Sequence, residues 1–327
     1  MAQQTTTSES IMVAEYMATI LQQFFPSPRN FAVQLWDQAE IPADSDPKFT
    51  LVLNHPGTLR HMLTPPIELS LGECYIFGDL DIKGDFYAAL HLVDSLSGLN
   101  WAAPEVTSML KDIQRLPKTG PQHEVRCKPI ELYGVLHSQE RDREATRLTY
   151  DVGNDFFALW LDKRMQFSCG YFPLGVENLE AAQALKIEHI CQKLRLKPGD
   201  RLLDIGCGWG GLAIAAAQWY RVEVVGVTLS EQQAVYGTKQ AGIAALNDRV
   251  KIRYCDYRDL KGETCDKIVS VEMFEHVGRY HLPEYFSQVY RLLKPGGLFL
   301  NHGIARRGLP SDLSLIRGLN RPSESYM

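Results

Sequence analysis

The run Leu202-Leu203-Asp204-Ile205-Gly206-Cys207-Gly208-Trp209-Gly210-Gly211 constrains the fold more than any other stretch of the chain. Pro198-Gly199-Asp200 precedes it as a turn, and Leu202 to Ile205 reads as a buried strand. Leu212-Ala213-Ile214-Ala215-Ala216-Ala217 follows as a helix. A strand therefore ends in a glycine-rich loop that opens a helix. Glycines tolerate positive φ and let a ligand approach the backbone closely. The helix start offers unpaired N–H groups and the positive end of a dipole. Gly206, Gly208 and Gly211 satisfy the dinucleotide spacing G-x-G-x-x-G, and Gly210 adds a fourth glycine. Asp204, at the strand tip, can orient backbone amides or a ligand ammonium group.

From Asp200 onward strand and helix patterns alternate, which predicts a doubly wound parallel sheet of the Rossmann-like α/β class. Strands are predicted at 201–205, 222–227, 250–254, 267–271 and 298–301, with helices such as 231–241 and 283–293 between them. Ligands in such sheets bind beyond the C-terminal strand ends, where the strand order reverses. That rule gathers Asp204 to Gly210, Thr228 to Gln233, Asp256 to Asp259, Glu272 to Glu275, and His302 along one rim.

The 327 residues exceed what one core holds, since single cores stop growing near about 250–300 residues. A helix is predicted over 11–25, a strand over 49–53, and a Gly- and Pro-bearing linker over 98–135. The expected division is a smaller α+β domain over 1–97, the linker, and the Rossmann-like domain over 136–327. The net charge of −5 argues against a general nucleic-acid binder, which shows a basic face. The seven cysteines form no CxxC pair and suit a reducing compartment. The first residues lack a basic signal region, and no stretch approaches the roughly 20 apolar residues of a membrane span. A cytoplasmic protein is expected. No His/Cys set has ligand spacing, so no metal site is suggested. Tyr75, Phe77, Tyr87 and Leu90 can face a lipid surface, with core packing the expected role. His189 is read as a surface residue in a helical pattern with Lys186 and Lys193, and His276 and His281 as structural or solvent-facing.

Further motifs stand beside the glycine loop. They are Tyr150-Asp151-Val152-Gly153-Asn154-Asp155-Phe156-Phe157, Met165-Gln166-Phe167-Ser168-Cys169-Gly170-Tyr171-Phe172, Gly226-Val227-Thr228-Leu229-Ser230, Asp256-Tyr257-Arg258-Asp259, Phe274-Glu275-His276-Val277-Gly278 and Lys294-Pro295-Gly296-Gly297. Together they resemble the cyclopropane-fatty-acyl-phospholipid synthase family, which includes the mycolic acid cyclopropane synthases, within the class I S-adenosylmethionine-dependent methyltransferases.

The resemblance implies S-adenosylmethionine as methyl donor and unsaturated phospholipid acyl chains as substrate, with peripheral membrane contact and a homodimer as an open possibility. Phe167 and Ser168 would lie near the methionine end, and Gly206, Cys207, Gly208 and Gly210 with Asp204 against the amino-acid portion. Thr228, Leu229, Ser230 and Gln233 would face ribose and adenine, with Arg258 and Asp259 bordering the adenine. Ser230 also reads as the N-cap of its helix. A bound bicarbonate would act as general base, held by Cys169, Glu275, His302 and the backbone of Ile304. Glu272 is an ordinary alternative acid; His302 also reads as a satisfied strand-end histidine, and Cys169 as a packed thiol. Tyr171, Phe172 and Phe274 are the candidate rings for stabilising sulfonium or carbocation. Family members continue past the fifth strand with two more strands, part of the lipid pocket and a bicarbonate-holding tyrosine. The resemblance implies that this chain, stopping at Met327, lacks them. The expected reaction is cyclopropanation of acyl double bonds. The alternatives are methyl or methylene transfer on the same chains, or a cofactor-binding remnant without turnover.

Overall fold

Alternate residues of Arg201–Ile205 enter different cores: Leu202 packs with one apolar cluster, Leu203 and Ile205 with another. A strand buried on both faces requires helices on both sides of its sheet. The computed structural model describes most of residues 15–92, positions 113 and 116, and residues 132–304. It divides into two compact units, one within Met1–Pro129 and one within Ile130–Arg307.

The first unit carries a four-stranded sheet of β1 (Phe31–Gln34), β2 (Glu40–Ile41), β3 (Phe49–Leu53) and β4 (Leu80–Gly84), in the order β2-β1-β3-β4. β1 and β3 run parallel, and the outer pairs are antiparallel. The predicted N-terminal helix is helical over 15–22 and drives Met17, Ile20 and Leu21 into the core beside Phe31, Val33 and Leu51. Most of the predicted linker falls outside the described residues. Contrary to expectation, Tyr75, Tyr87 and Leu90 are exposed rather than packed. For Tyr87 and Leu90 the reason is length: Phe86–Leu90 is a five-residue helix that buries only Ala89. The fold also brings one ligand atom each of His61, Cys74 and Asp79 within 4.8 Å of one another, a proximity their spacing does not reveal. Burial pushes the Cys74 thiol up to about 12.

The second unit holds five parallel strands: β5 (Arg201–Ile205), β6 (Glu223–Thr228), β7 (Val250–Tyr254), β8 (Cys265–Val271) and β9 (Leu293–His302). Their order, β7-β6-β5-β8-β9, reverses between β5 and β8. Five helices position the site, named α1 (Gln139–Tyr150), α2 (Leu179–Leu194), α3 (Gly211–Tyr220), α4 (Glu231–Ile243) and α5 (Leu282–Leu292). Four of them have clear local causes. Ser138, Asn178 and Ser230 cap α1, α2 and α4 by accepting from the backbone N–H three residues on. α3 packs its alanine face, Ala213, Ala215, Ala216 and Ala217, against the sheet. β9 begins five residues before the predicted 298: Gly296, at φ 77°, makes a register irregularity against β8 instead of ending the preceding helix later. Among the described residues no helix is long and apolar enough to cross a membrane.

Candidate active site

The β5–α3 loop turns through three glycines at positive φ: Gly206 at 78°, Gly208 at 54° and Gly210 at 82°. The N–H groups of Gly206 and Cys207 both donate to the Val227 carbonyl, locking the loop to the tip of β6. Gly211 has no room for a side chain, because a Cβ there would sit 2.1 Å from the Arg164 carbonyl oxygen. No side chain caps α3 among the described residues, so its first N–H groups face outward from a Gly210 start. Below the loop, Asp204 is buried and its Oδ2 has no hydrogen-bond partner among the described residues. Burial raises its carboxyl to about 7, while Lys186 pulls the other way. An orphaned acid beneath a glycine cradle and an uncapped helix start fit the polar end of a ligand such as S-adenosylmethionine. Cys207 contributes backbone only: its thiol is buried and faces Gly226, where a Cβ would meet it at 2.9 Å.

Residues Gln166 to Cys169 run along the same strand ends, held from α2. Gln183 Nε2 donates to the carbonyls of Ser168 (2.8 Å) and Gln166 (3.3 Å), and Lys186 Nζ donates to Ser168 Oγ. Lys186 is buried. Its burial lowers the ammonium to about 8. The helical period carried the signal, since Gln183 and Lys186 share the buried face with Ile187 and Ile190. His189 instead stacks on Tyr171 at 5.1 Å.

Phe167 faces an aromatic wall that single-residue reasoning missed. Trp160 lies 4.9 Å from its ring, Phe157 5.6 Å and Tyr150 6.0 Å. Trp209 backs this wall and donates from Nε1 to Asn154 Oδ1 at 2.7 Å. Of the rings expected near the reacting centre, Tyr171 and Phe172 are about half exposed. Phe274 packs where a side chain on Gly303 would otherwise go.

At the tip of β6 the polar groups form closed pairs. Thr228 donates to Gln233 Oε1 at 2.6 Å, and Ser230 donates to Asp151 while accepting from the Gln233 N–H. The N-cap reading of Ser230 therefore holds. After β7, Arg258 directs its guanidinium to Asp256, Asp142 and the His137 carbonyl at 2.7–3.0 Å. It thereby braces the wall helix α1 against the β7 tip. Asp259 accepts from Gln139 at 3.0 Å.

The ends of β8 and β9 carry the acids. Glu272 stands at φ 50°, a left-handed conformation rare for a non-glycine residue, and its N–H donates to the His302 carbonyl. Its Oε1 accepts the Cys169 N–H at 2.9 Å and lies 3.7 Å from His302 Nδ1. Glu275 Oε1 accepts the Ile304 N–H. Glu275 Oε2 and His302 Nδ1 are buried without a hydrogen-bond partner among the described residues. The Glu272 carboxylate and partial burial raise the exposed Cys169 thiol, which stays protonated.

These residues do not fit the bicarbonate that the family resemblance implies. The Ile304 amide already serves Glu275, the Cys169 amide serves Glu272, and the Glu272 carboxylate stands 3.7 Å from His302, so a further anion meets like charge with few free donors.

The pattern of the mycolic acid cyclopropane synthetase family matches residues 137–312, more than half of the chain. The chain belongs to that family. A Pseudomonas putida protein named "Probable fatty acid methyltransferase" is 36% identical over 276 residues, covering 84% of this chain and 64% of its own. The cyclopropane-fatty-acyl-phospholipid synthase of Escherichia coli K12 is 47% identical over 187 residues, 57% of this chain and 47% of its own. The chain thus spans about half to two thirds of the length of these relatives. The crystal structure of mycolic acid cyclopropane synthase CmaA1, complexed with SAH and CTAB, superposes with a TM-score of 0.50 at 35% identity, over 56% of this chain and 62% of that one. This family member therefore shares the S-adenosylmethionine-dependent methyltransferase fold.

Proposed function

We propose that this family member moves the methyl carbon of S-adenosylmethionine onto the cis double bond of phospholipid acyl chains and forms a cyclopropane ring. S-adenosylmethionine, when bound, supplies an electrophilic sulfonium methyl. One observation carries the reading: the short segment Phe167-Ser168-Cys169 joins two unlike sites. Phe167 and Ser168 lie with the aromatic wall and the buried amine, while the Cys169 amide reaches the Glu272 carboxylate.

An alkene is a weak nucleophile, so holding it against the methyl and excluding water must supply much of the acceleration. The aromatic faces of Tyr150, Trp160 and Phe167, backed by buried Phe157, suit a cationic sulfonium, at about 0.5–2 kcal/mol each. Asp204 and the glycine loop would hold the amino-acid end, and Thr228, Leu229 and Gln233 the nucleoside end. In the first unit, exposed Tyr75, Ile76, Phe86, Tyr87 and Leu90 support a reversible lipid-docking role.

Lipids from cells expressing the chain test the reading. Mass spectrometry is expected to show acyl chains heavier by CH2, and proton NMR to show cyclopropane hydrogens. Exocyclic alkene signals, or the two further hydrogens of a reduced branch, would assign the methyl- or methylene-transferring alternative instead. Calorimetric binding of S-adenosylhomocysteine with unchanged lipids would identify a binding remnant.

A further inference from the structure

The site that does not suit an external anion already contains a carboxylate of the chain's own. We propose that Glu272 is the proton acceptor of the ring-closing step, doing within the chain what the family resemblance assigns to bicarbonate. This rests on the cyclopropanation reading above.

Three observations separate Glu272 from its neighbour Glu275. The Glu272 side chain keeps 12% of its surface open, whereas Glu275 Oε2 is sealed from solvent and from any hydrogen-bond partner among the described residues. A sealed oxygen cannot reach a substrate hydrogen, and an open one can. Second, Glu272 has a route for the proton. Its Oε1 lies 3.7 Å from His302 Nδ1, and that nitrogen is dry while the histidine side chain as a whole is 43% exposed. The inner nitrogen faces the acid and the rest of the ring reaches water. Third, the backbone is held in an unfavourable place for this residue. Glu272 sits at φ 50°, fixed by its own N–H on the His302 carbonyl and by the Cys169 amide on its carboxylate. Strain held by several contacts at one residue is a mark of a functional position.

The acyl double bond forms a C–C bond to the methyl carbon as the S–CH3 bond breaks, its electron pair remaining on sulfur. One C–H bond of the new group then breaks, and its electron pair closes the third side of the ring. The released proton goes to a Glu272 oxygen and from there through His302 to water. The carboxylate also lowers the energy of the positive charge before it collapses.

The experiment compares the chain as it stands with Glu272→Gln, Glu272→Gly and Glu275→Gln, following both S-adenosylhomocysteine release and cyclopropane formation in buffers stripped of carbon dioxide. The unaltered chain is expected to keep its rate without bicarbonate. Glu272→Gln retains the amide contact in shape and is expected to lose about 100-fold or more in ring formation, with partial rescue by added bicarbonate. Glu272→Gly relieves the backbone strain, so it should melt no lower than the parent while losing the same activity. Glu275→Gln is expected to lose less than Glu272→Gln. Bicarbonate-dependent turnover by the unaltered chain, or wild-type ring formation by Glu272→Gln, would overturn the proposal while leaving cyclopropanation standing. Absence of any methyl transfer by the unaltered chain would overturn both.

Discussion

The two halves of the rim are built on opposite terms. At the tips of β6 and β7 the polar side chains are matched: Thr228 with Gln233, Ser230 with Asp151, Arg258 with Asp256 and Asp142. At the tips of β8 and β9, Glu275 Oε2 and His302 Nδ1 stand bare and Glu272 is strained. A surface that holds a ligand gains from fixed, satisfied geometry. A surface that handles a proton needs groups free to change partner, and bare buried polar atoms are costly to keep. On the proposed reading, this difference marks where binding ends and chemistry begins.

The comparison breaks most severely at Gly211. Alanine there forces the Arg164 carbonyl away and is expected to destabilise by about 4 kcal/mol, with loss of S-adenosylhomocysteine binding. Thermal melts and calorimetry measure both. Next, Arg258→Ala leaves the buried Asp256 carboxylate without its counter-ion, at a cost of about 3 kcal/mol. If the brace is structural as described, denaturant midpoints fall while the acid end keeps its chemistry in whatever fraction stays folded.

The smallest effect has the opposite sign. Asp204 is raised to about 7 in the folded chain by burial, so folding favours its protonated form. The stability this gives is complete below about pH 4 and is lost as the pH rises through 7. Asp204→Asn removes that loss. It is expected to gain nothing near pH 4 and about 1–3 kcal/mol at pH 8, with weaker cofactor binding. A gain independent of pH would show that the orphaned oxygen has a partner in solution.

Much of this was legible in the chain. β5 and β7 match their predicted limits because turns at Gly199 and Asp248 bracket short apolar runs. The glycine loop was legible because its spacing encodes a backbone shape. The inward place of Lys186 follows from helical phase, which puts it on one face with Gln183, Ile187 and Ile190. Cys207 stood in the right loop, but which way a thiol turns depends on Gly226 in the neighbouring strand. The bracing role of Arg258 was not legible because its acidic partner Asp142 lies 116 positions away. Glu272 looked ordinary since nothing local announces that its backbone must turn left-handed to meet His302.

Arg258 has one more consequence. It clasps the start of α1, whose far end carries Tyr150 of the aromatic wall, through contacts that span 116 and 121 positions of sequence. Links across such separations form late when a polypeptide folds. A nascent chain that has emerged only through β6 therefore has no clasp for that wall, so the pocket matures only after β7 and the turn behind it have joined the sheet.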